Sequence, residues 1–211
     1  MIGALSLLRH KPEHTIEQFR HHWRHVHGPL AAELHGVRRY VQSHFLHDDP
    51  LTNTFGRSLA TDGLAVISFD TEEDREICYA SHQEEVCDVD SLLFIGASAR
   101  YVSDVRSVIP APAQPTKSRA IMLFTTVPPG LDALFHDIAG SSAVTELAVH
   151  AVTSPGATPT QARRQIILPL HMIVEIAADN RLELETAVAR LVKAVATGDV
   201  ATFAAVEHRI V

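Results

Sequence analysis

Hydrophobic and polar positions along the chain follow two patterns. Short apolar or alternating runs predict β-strands, and longer stretches with apolar residues every three or four positions predict α-helices. In the first half these patterns predict the order strand, helix, strand, strand, helix, strand. Thr15 and Gln18 have the spacing of a capping box and predict the start of the first helix. The predicted strands are 4–9, 37–46, 64–69 and 100–108, and the second helix is 72–81 with further helical turns over 84–93.

The second half repeats this order with a different sequence. Its predicted strands are 120–126, 144–152, 166–176 and 202–210, and its predicted helices are 130–138 and 181–196. We therefore predict an α+β protein of tandem ferredoxin-like βαββαβ repeats. Helices on one face of each antiparallel sheet leave the other face apolar and in need of cover. The two sheets can cover each other as a closed or nearly closed barrel within one chain, or sheets can pair between two chains.

A proline-rich segment separates the two halves. Pro110, Pro112 and Pro115 lie within six residues, a density that excludes a regular helix or central strand and is typical of a semi-rigid connector. We predict a first domain over 1–109, a linker over 110–117 and a second, degenerate domain over 118–211.

The first helix carries the most informative chemistry of the chain. Ile16, Phe19, Trp23, Val26 and Leu30 recur at helical spacing and predict one buried stripe. His27, four residues after Trp23, is predicted at the edge of that stripe, away from the outward His21 and His25. An imidazole that titrates near neutral pH is thereby placed where water is scarce, just before Gly28 and Pro29.

The strand after this helix carries a polar stripe. Tyr40, Gln42 and His44 share one face because side chains alternate along a strand. If that face looks into the barrel, with Arg9 on the neighbouring strand and His27 at the helix end, the cavity contains a base, a phenol and a cation. His27 would then move a proton, Tyr40 would hold or protonate an enolate oxygen, and Arg9 would bind a substrate carboxylate. Three residues complete the predicted substrate-binding set: Trp23, Gln42 and His44.

Structural interpretations of the same residues stay open. His27 can have a structural role where the helix breaks. Pro29 has no N–H to donate to the carbonyl of His25, so the helix must kink or stop there. Tyr40 can be a barrel-wall aromatic and Trp23 a core residue. Gln42 and His44 lie on a solvated face if the choice of strand face is reversed.

The many histidines of the first helix also suggest a metal-binding site. His21 and His25 are one helical turn apart, but Arg20 and Arg24 repel a cation there, so we predict no specific metal. His171 is interpreted as a buried group within an apolar strand. We predict no cofactor: the chain has no glycine-rich phosphate loop after a strand, which argues against a nucleotide cofactor. The sequence also has no G-x-S-x-G nucleophile elbow.

Composition narrows the classes of partner. Nearly half of the 211 residues are hydrophobic and the net charge is −7, which provides a core and no positive field for nucleic acid or anionic lipid. No apolar stretch has spanning length and the amino terminus has no signal-peptide pattern, so we predict a cytoplasmic protein without membrane contact. A small-molecule ligand is the expected partner, and an exposed sheet edge would favour a homodimer.

The segment 7–40 contains the strand end Arg9-His10-Lys11-Pro12, the aromatic pair Phe19 and Trp23, the run His27-Gly28-Pro29-Leu30, and Arg39-Tyr40. With these residues, the segment resembles the EthD family of the dimeric α-β barrel superfamily. The resemblance implies a barrel fold over roughly the first hundred residues. In the muconolactone-isomerase relatives, the helix histidine and the tyrosine of the following strand serve the site. The resemblance therefore implies site roles for His27 and Tyr40. Those relatives also use a thiol on the third strand, where this chain has Ser68.

These observations lead to a functional hypothesis and two alternatives. The first is a cofactor-independent isomerase, cyclase or lyase that transfers protons on a small hydrophobic oxygenated molecule, such as a lactone or a polyketide-like aromatic. The second is a non-catalytic protein that binds a small ligand or assembles through its sheet edges. The third is a cofactor-free monooxygenase. Fold alone does not choose among them.

Overall fold

The computed structural model describes residues 1–140, 143–155, 164–166, 168–195 and 198–211. The strands are β1 (Ile2–His10), β2 (Arg39–Leu46), β3 (Gly63–Phe69), β4 (Ile95–Ile109), β5 (Ser118–Phe124), β6 (Val144–Pro155), β7 (Arg164–Gln165), β8 (Met172–Ala178) and β9 (Val200–Arg209). The helices are α1 (Ile16–His22), α2 (Gly28–Ala32), α3 (Thr54–Ser58), α4 (Glu72–Tyr79), α5 (His82–Phe94), α6 (Leu131–Ala139) and α7 (Arg181–Lys193), and a π-helical turn, Trp23–His27, joins α1 to α2.

Eight of these strands close into one antiparallel barrel. Their order is β1-β3-β2-β9-β5-β8-β6-β4, and β4 pairs back to β1. The two halves of the chain meet at two seams, where β2 pairs with β9 and β6 pairs with β4. Of the two arrangements that the sequence left open, the structure therefore has the barrel closed within one chain.

Most predicted elements agree with the structure to within a few residues. One strand differs: the predicted strand 166–176 begins only at Met172, and the two-residue β7 lies before it. His171 precedes β8 and is exposed, so its interpretation as a buried strand residue was wrong. The start of the predicted strand 166–176 includes residue 167, and the predicted helix 181–196 ends at residue 196; both of these residues lie outside the described ones.

The barrel encloses an apolar cluster and an ionic cluster. The apolar cluster includes Leu5, Leu7, Phe45, Leu64 and Phe203. The ionic cluster consists of the side chains of Arg39, Arg119, Glu146, His150, Glu175, Glu207 and Arg209. Because side chains alternate on each strand, the residues between these positions face outward and pack under the helices.

The helical layer of the first half covers the outward face of β1 to β4. Phe19 and Trp23 are fully buried there, together with Tyr40 and Phe94. Gly63 makes this packing feasible, since a Cβ at that position would approach the Trp23 ring to 2.5 Å. The candidate site lies in this layer, outside the barrel.

In the part of the chain that the structure describes, no helix combines the length and the apolar character needed to cross a membrane.

Candidate functional site

The first helix continues through the predicted break as a π-helical turn. Thr15 caps α1 with the predicted capping box, and the helix runs on to Ala32 with the turn Trp23–His27 in its middle. Within this turn the Gly28 N–H donates to the carbonyl of Trp23, five residues back. Pro29 has no N–H for the α-helical bond to His25, so a wider turn keeps the helix continuous. The helix therefore does not stop at this point, although a stop was one of the two expected outcomes.

The wider turn also shifts the buried face by one residue. Val26, predicted in the buried stripe, is 42% exposed. His27 is largely buried instead, with 14% of its side chain accessible. One extra residue in the turn rotates all later positions relative to a regular α-helix, which brings His27 toward the sheet.

His27 is held by a carboxylate from α5. Its Nδ1 lies 2.9 Å from Asp90 Oδ2, and His22 Nε2 lies 3.0 Å from Asp90 Oδ1. Burial raises the pKa of Asp90, but hydrogen bonds with His27 and His22 outweigh burial and leave that pKa below its ordinary value. Asp90 is therefore an ionised partner for both imidazoles at neutral pH.

Tyr40 forms the second part of the site. Its hydroxyl oxygen accepts hydrogen bonds from Trp23 Nε1 at 3.1 Å and from Gln42 Nε2 at 3.0 Å. Burial raises the pKa of Tyr40 far above its ordinary value, so the phenol keeps its proton. An oxygen that accepts two bonds still has its own hydrogen to donate.

A small cavity lies against both groups. It has a volume of about 60 Å³ and is lined by His27 and Tyr40 together with Trp23, Arg100 and Ser91. We call this space the His27 cavity. Its remaining wall includes Ser6, Leu8, Ala65, Cys87, Asp88 and Ser98.

The polar stripe on β2 faces outward rather than into the barrel. Gln42 donates to the Trp23 carbonyl at 2.8 Å, and His44 stacks on the Trp23 ring with centroids 4.6 Å apart. Burial and the nearby charges of His208, Arg20 and Arg24 lower the pKa of His44 to about 3, so it is neutral. Gln42 and His44 lie outside the described wall of the His27 cavity, behind Tyr40 and Trp23.

Arg9 lies on the other side of the sheet from this cavity. It occupies the barrel-facing side of β1, in line with Leu5 and Leu7, and donates hydrogen bonds to the carbonyls of Leu59 and Ala60. The predicted grouping of Arg9 with His27 was therefore wrong, because alternation along β1 turns Arg9 away from the helical layer. Arg100, on the outward side of β4, lines the cavity in its place.

Asp90 and Arg100 were missed by sequence reasoning. Asp90 lies between Cys87 and Phe94 at helical spacing, so it occupies a core position of α5. A carboxylate at such a position was a readable signal, because buried charges are paired. Arg100 gave a weaker signal, since a single arginine in a strand is often an exposed residue at the edge of a sheet.

The metal-binding hypothesis concerned the outward histidines, His21 and His25. The rings of His21 and His25 are exposed and 5.0 Å apart, whereas His22 is bonded to Asp90. Among the residues that the structure describes, no group of three or more His, Cys, Asp or Glu side chains is arranged to hold a metal ion.

The fold defines the class of protein: an α+β protein with a closed eight-strand antiparallel barrel of the dimeric α-β barrel type. Residues 11–98 match the family model described as the EthD domain, which confirms the EthD resemblance of the first half of the sequence. A search of curated proteins found no match.

Solved structures share the fold over nearly the whole chain. An anthrone oxidase-like protein is 13% identical with a TM-score of 0.60, covering 99% of this chain and 93% of its own. A protein from Fusobacterium nucleatum subsp. nucleatum, provisionally described as a monooxygenase, is 6% identical with a TM-score of 0.61, covering 97% and 90%. A mutant chlorite dismutase from Candidatus Nitrospira defluvii is 9% identical with a TM-score of 0.51, covering 97% and 91%. At these identities the likeness establishes the fold alone.

Proposed function

We propose that the His27 cavity is the site of proton-transfer catalysis on a small oxygenated molecule. The observation that supports this most strongly is the pair formed by His27 and Asp90 at the wall of a cavity that Tyr40 also lines. A carboxylate on one ring nitrogen fixes the tautomer of an imidazole and stabilises its protonated form. Nε2 is then the nitrogen of His27 that exchanges a proton with a ligand.

The two residues have complementary roles in this proposal. His27 removes a proton from the carbon next to a carbonyl group, and Tyr40 donates a hydrogen bond to the oxygen that becomes the enolate. Trp23 and Gln42 fix the Tyr40 oxygen, so the phenol is oriented before the substrate arrives. Return of the proton to another carbon gives an isomerase, and loss of a neighbouring leaving group gives a lyase.

Cofactor-free oxygenation is the second candidate. The names of two neighbours, an anthrone oxidase-like protein and a provisional monooxygenase, favour it by fold-level analogy. The first step would be the same proton abstraction from a CH₂ group. Molecular oxygen would then convert that CH₂ into C=O, with one oxygen atom in the product and the other released as water.

The size of the cavity restricts the substrate. A volume of about 60 Å³ corresponds to roughly two water molecules at ~30 Å³ each. The reactive end of a lactone or ketone fits such a space, whereas a polyketide-like aromatic does not fit inside it. A non-catalytic pocket that binds a small ligand remains the alternative, and it predicts no proton exchange.

Several further features belong to the same proposal. We regard residues 1–109 and 118–211 as tandem ferredoxin-like units joined by the linker 110–117, in a cytoplasmic protein that works without a cofactor. Association of two closed barrels into a homodimer would use their surfaces, because closure itself needs one chain. Gln42 and His44 act as positioning residues for Tyr40 and Trp23.

The direct test is deuterium exchange at carbon. The protein is incubated in D₂O with acetone and with phenylacetone, and NMR measures loss of the protons next to the carbonyl group. We expect His27→Asn to slow exchange by about 10²–10⁴-fold, the usual contribution of a positioned general base. The matched control is His25→Asn, an exposed histidine of the same helical turn, which should retain the wild-type rate.

Oxygen separates the two reaction classes. Exchange without net product under both nitrogen and air supports isomerase or lyase chemistry, and consumption of oxygen by the wild-type protein supports oxygenation. If the wild-type protein gives no exchange above the buffer rate with either ketone, the catalytic proposal is wrong and the binding alternative stands.

A further inference from the structure

A second cavity adjoins the His27 cavity along the outward face of β4. It also has a volume of about 60 Å³. We call it the outer cavity, and its side chains come from β1, α4 and β4: Ala4, Ser6, Arg75, Tyr79, Arg100 and Val102. Arg100 and Val102 are two positions apart on one strand, so both project from the same face of the sheet.

The two cavities have part of their walls in common. Ser6, Tyr79 and Arg100 line both of them. The His27 cavity lies on the α5 side of these three residues and the outer cavity on the α4 side. Side chains rather than backbone separate the two cavities. A molecule too long for the His27 cavity would therefore extend into the outer cavity.

The dividing side chains are held by their neighbours. Arg100 donates to Asp88 Oδ1 at 2.9 Å and lies 3.7 Å from Glu84 Oε1. Arg75 lies over the Tyr79 ring, with its guanidinium carbon 5.6 Å from the ring centroid, and donates to Glu72. These contacts give the boundary a defined shape, and rotation of a Tyr79 or Arg100 side chain would widen it.

The charges of this boundary select against an anionic ligand. Arg100 already faces two carboxylates, those of Glu84 and Asp88, and Asp90 adds a third ionised group behind His27. With Arg75 and its partner Glu72 included, a free carboxylate would still meet more negative than positive charge there. A neutral carbonyl compound with an apolar body meets no such penalty.

We propose that the outer cavity binds the apolar body of the substrate while its carbonyl end occupies the His27 cavity. The ligand class is a neutral ketone, ester or lactone carrying a single ring. The two spaces, about 60 Å³ each, together fall short of the roughly 150 Å³ that holds a benzene molecule, and rotation of the Tyr79 or Arg100 side chain supplies the remaining space. Tyr79 and Arg100 are specificity-determining residues between the two parts. This inference rests on the proposed function for the identity of the carbonyl end.

The test compares acetone with phenylacetone, which differ by one phenyl ring. Binding is followed through the indole N–H of Trp23, the only tryptophan of the chain and part of the His27 cavity wall. Val102→Phe fills the outer cavity from a half-buried position of β4. We expect it to weaken phenylacetone binding by about tenfold or more and to leave acetone binding unchanged, since tenfold corresponds to ~1.4 kcal/mol.

The matched control is Val206→Phe, the same substitution at a 43% exposed valine of β9. It should leave the binding of both ketones at the wild-type level. Ala4→Leu fills the outer cavity from β1 and replaces Val102→Phe if that variant does not fold. The inference is overturned if the filled variants bind phenylacetone as the wild-type protein does, if they weaken both ketones equally, or if phenylacetone leaves the Trp23 signal unchanged. Binding without deuterium exchange would reject the proposed catalysis and leave the two-cavity inference to be decided by these affinities.

Discussion

At the scale of single residues, the site depends on hydrogen bonds that join distant parts of the chain. His27 and Tyr40 could be selected from the sequence because an imidazole and a phenol occurred where apolar periodicity predicted burial. Their partners could not be selected in the same way. Asp90 is 63 residues from His27 in the sequence, and only the packing of α5 against the π-helical turn brings them together.

Tyr40 should contribute to stability as well as to any chemistry. Tyr40→Phe leaves the buried donors Trp23 Nε1 and Gln42 Nε2 without their shared acceptor. We expect the free energy of unfolding to fall by about 1–3 kcal/mol, the usual cost of an unsatisfied buried polar group. The measurement is urea denaturation.

Tyr101→Phe is the comparison for that measurement. The Tyr101 hydroxyl donates one hydrogen bond, to the carbonyl of Leu168 at 3.0 Å, so its loss should cost less than the loss of the Tyr40 hydroxyl. Equal costs would mean that the two bonds to the Tyr40 oxygen are not worth more than a single bond.

At the scale of elements, strand alternation was predictable and its direction was not. The sequence correctly placed Tyr40, Gln42 and His44 on one face of β2. It gave no means of deciding whether that face lined the barrel or met the helices, because both sides of β2 are buried. A strand buried on both faces lacks the polar side that normally reveals its orientation.

The π-helical turn makes a clear prediction at the same scale. Val26→Lys should change the free energy of unfolding by less than about 0.5 kcal/mol, because Val26 is exposed in this turn and exposed substitutions have small effects. In a regular α-helix the same residue would belong to the buried stripe, and a lysine there would be strongly destabilising. Chemical denaturation distinguishes the two registers.

Ala31→Lys is the buried comparison on the same helix, since Ala31 is only 2% exposed. It should lower stability by several kcal/mol, as expected for a charge without a partner in the core. A large loss for Val26→Lys would contradict the π-helical register.

At the scale of the whole molecule, barrel closure brings charged residues from both halves into one buried cluster. Arg39 of β2 bonds to Glu146 and Glu175 of the second half, and Arg119 bonds to Glu146 and pairs with Glu207. Such pairs help little toward net stability but are costly to break, because the remaining charge stays buried.

Arg119→Met tests this cluster. We expect a loss of about 3–5 kcal/mol at pH 7, the usual cost of removing one partner of a buried ion pair. The comparison is Arg181→Met, a partly exposed arginine with the partly exposed Asp49 and Glu185 as partners; the expected loss is smaller, about 0–1 kcal/mol. Thermal or urea unfolding of the two variants gives both values.

The contribution of Glu175 in the same cluster has a definite pH dependence. Burial raises the pKa of Glu175, but the hydrogen bond with His150 and the charges of Arg119 and Arg39 outweigh burial and lower that pKa below its ordinary value of 4.5. The resulting stabilisation is complete above about pH 4.5 and is lost as the pH falls through the folded-state pKa. The difference in stability between wild type and Arg119→Met should therefore shrink in acid, and a difference that grows would contradict this assignment.

The sequence by itself determined the element order, the capping box at Thr15, the division of polar and apolar faces and the EthD resemblance of the first half. These follow from local periodicity and short motifs, which neighbouring residues specify. The tertiary structure alone decided which sheet face lines the barrel, that β2–β9 and β4–β6 pairing closes it within one chain, and that Asp90 and Arg100 join His27 while Arg9 does not. These features depend on contacts between residues far apart in the chain, and local spacing carries no information about such contacts.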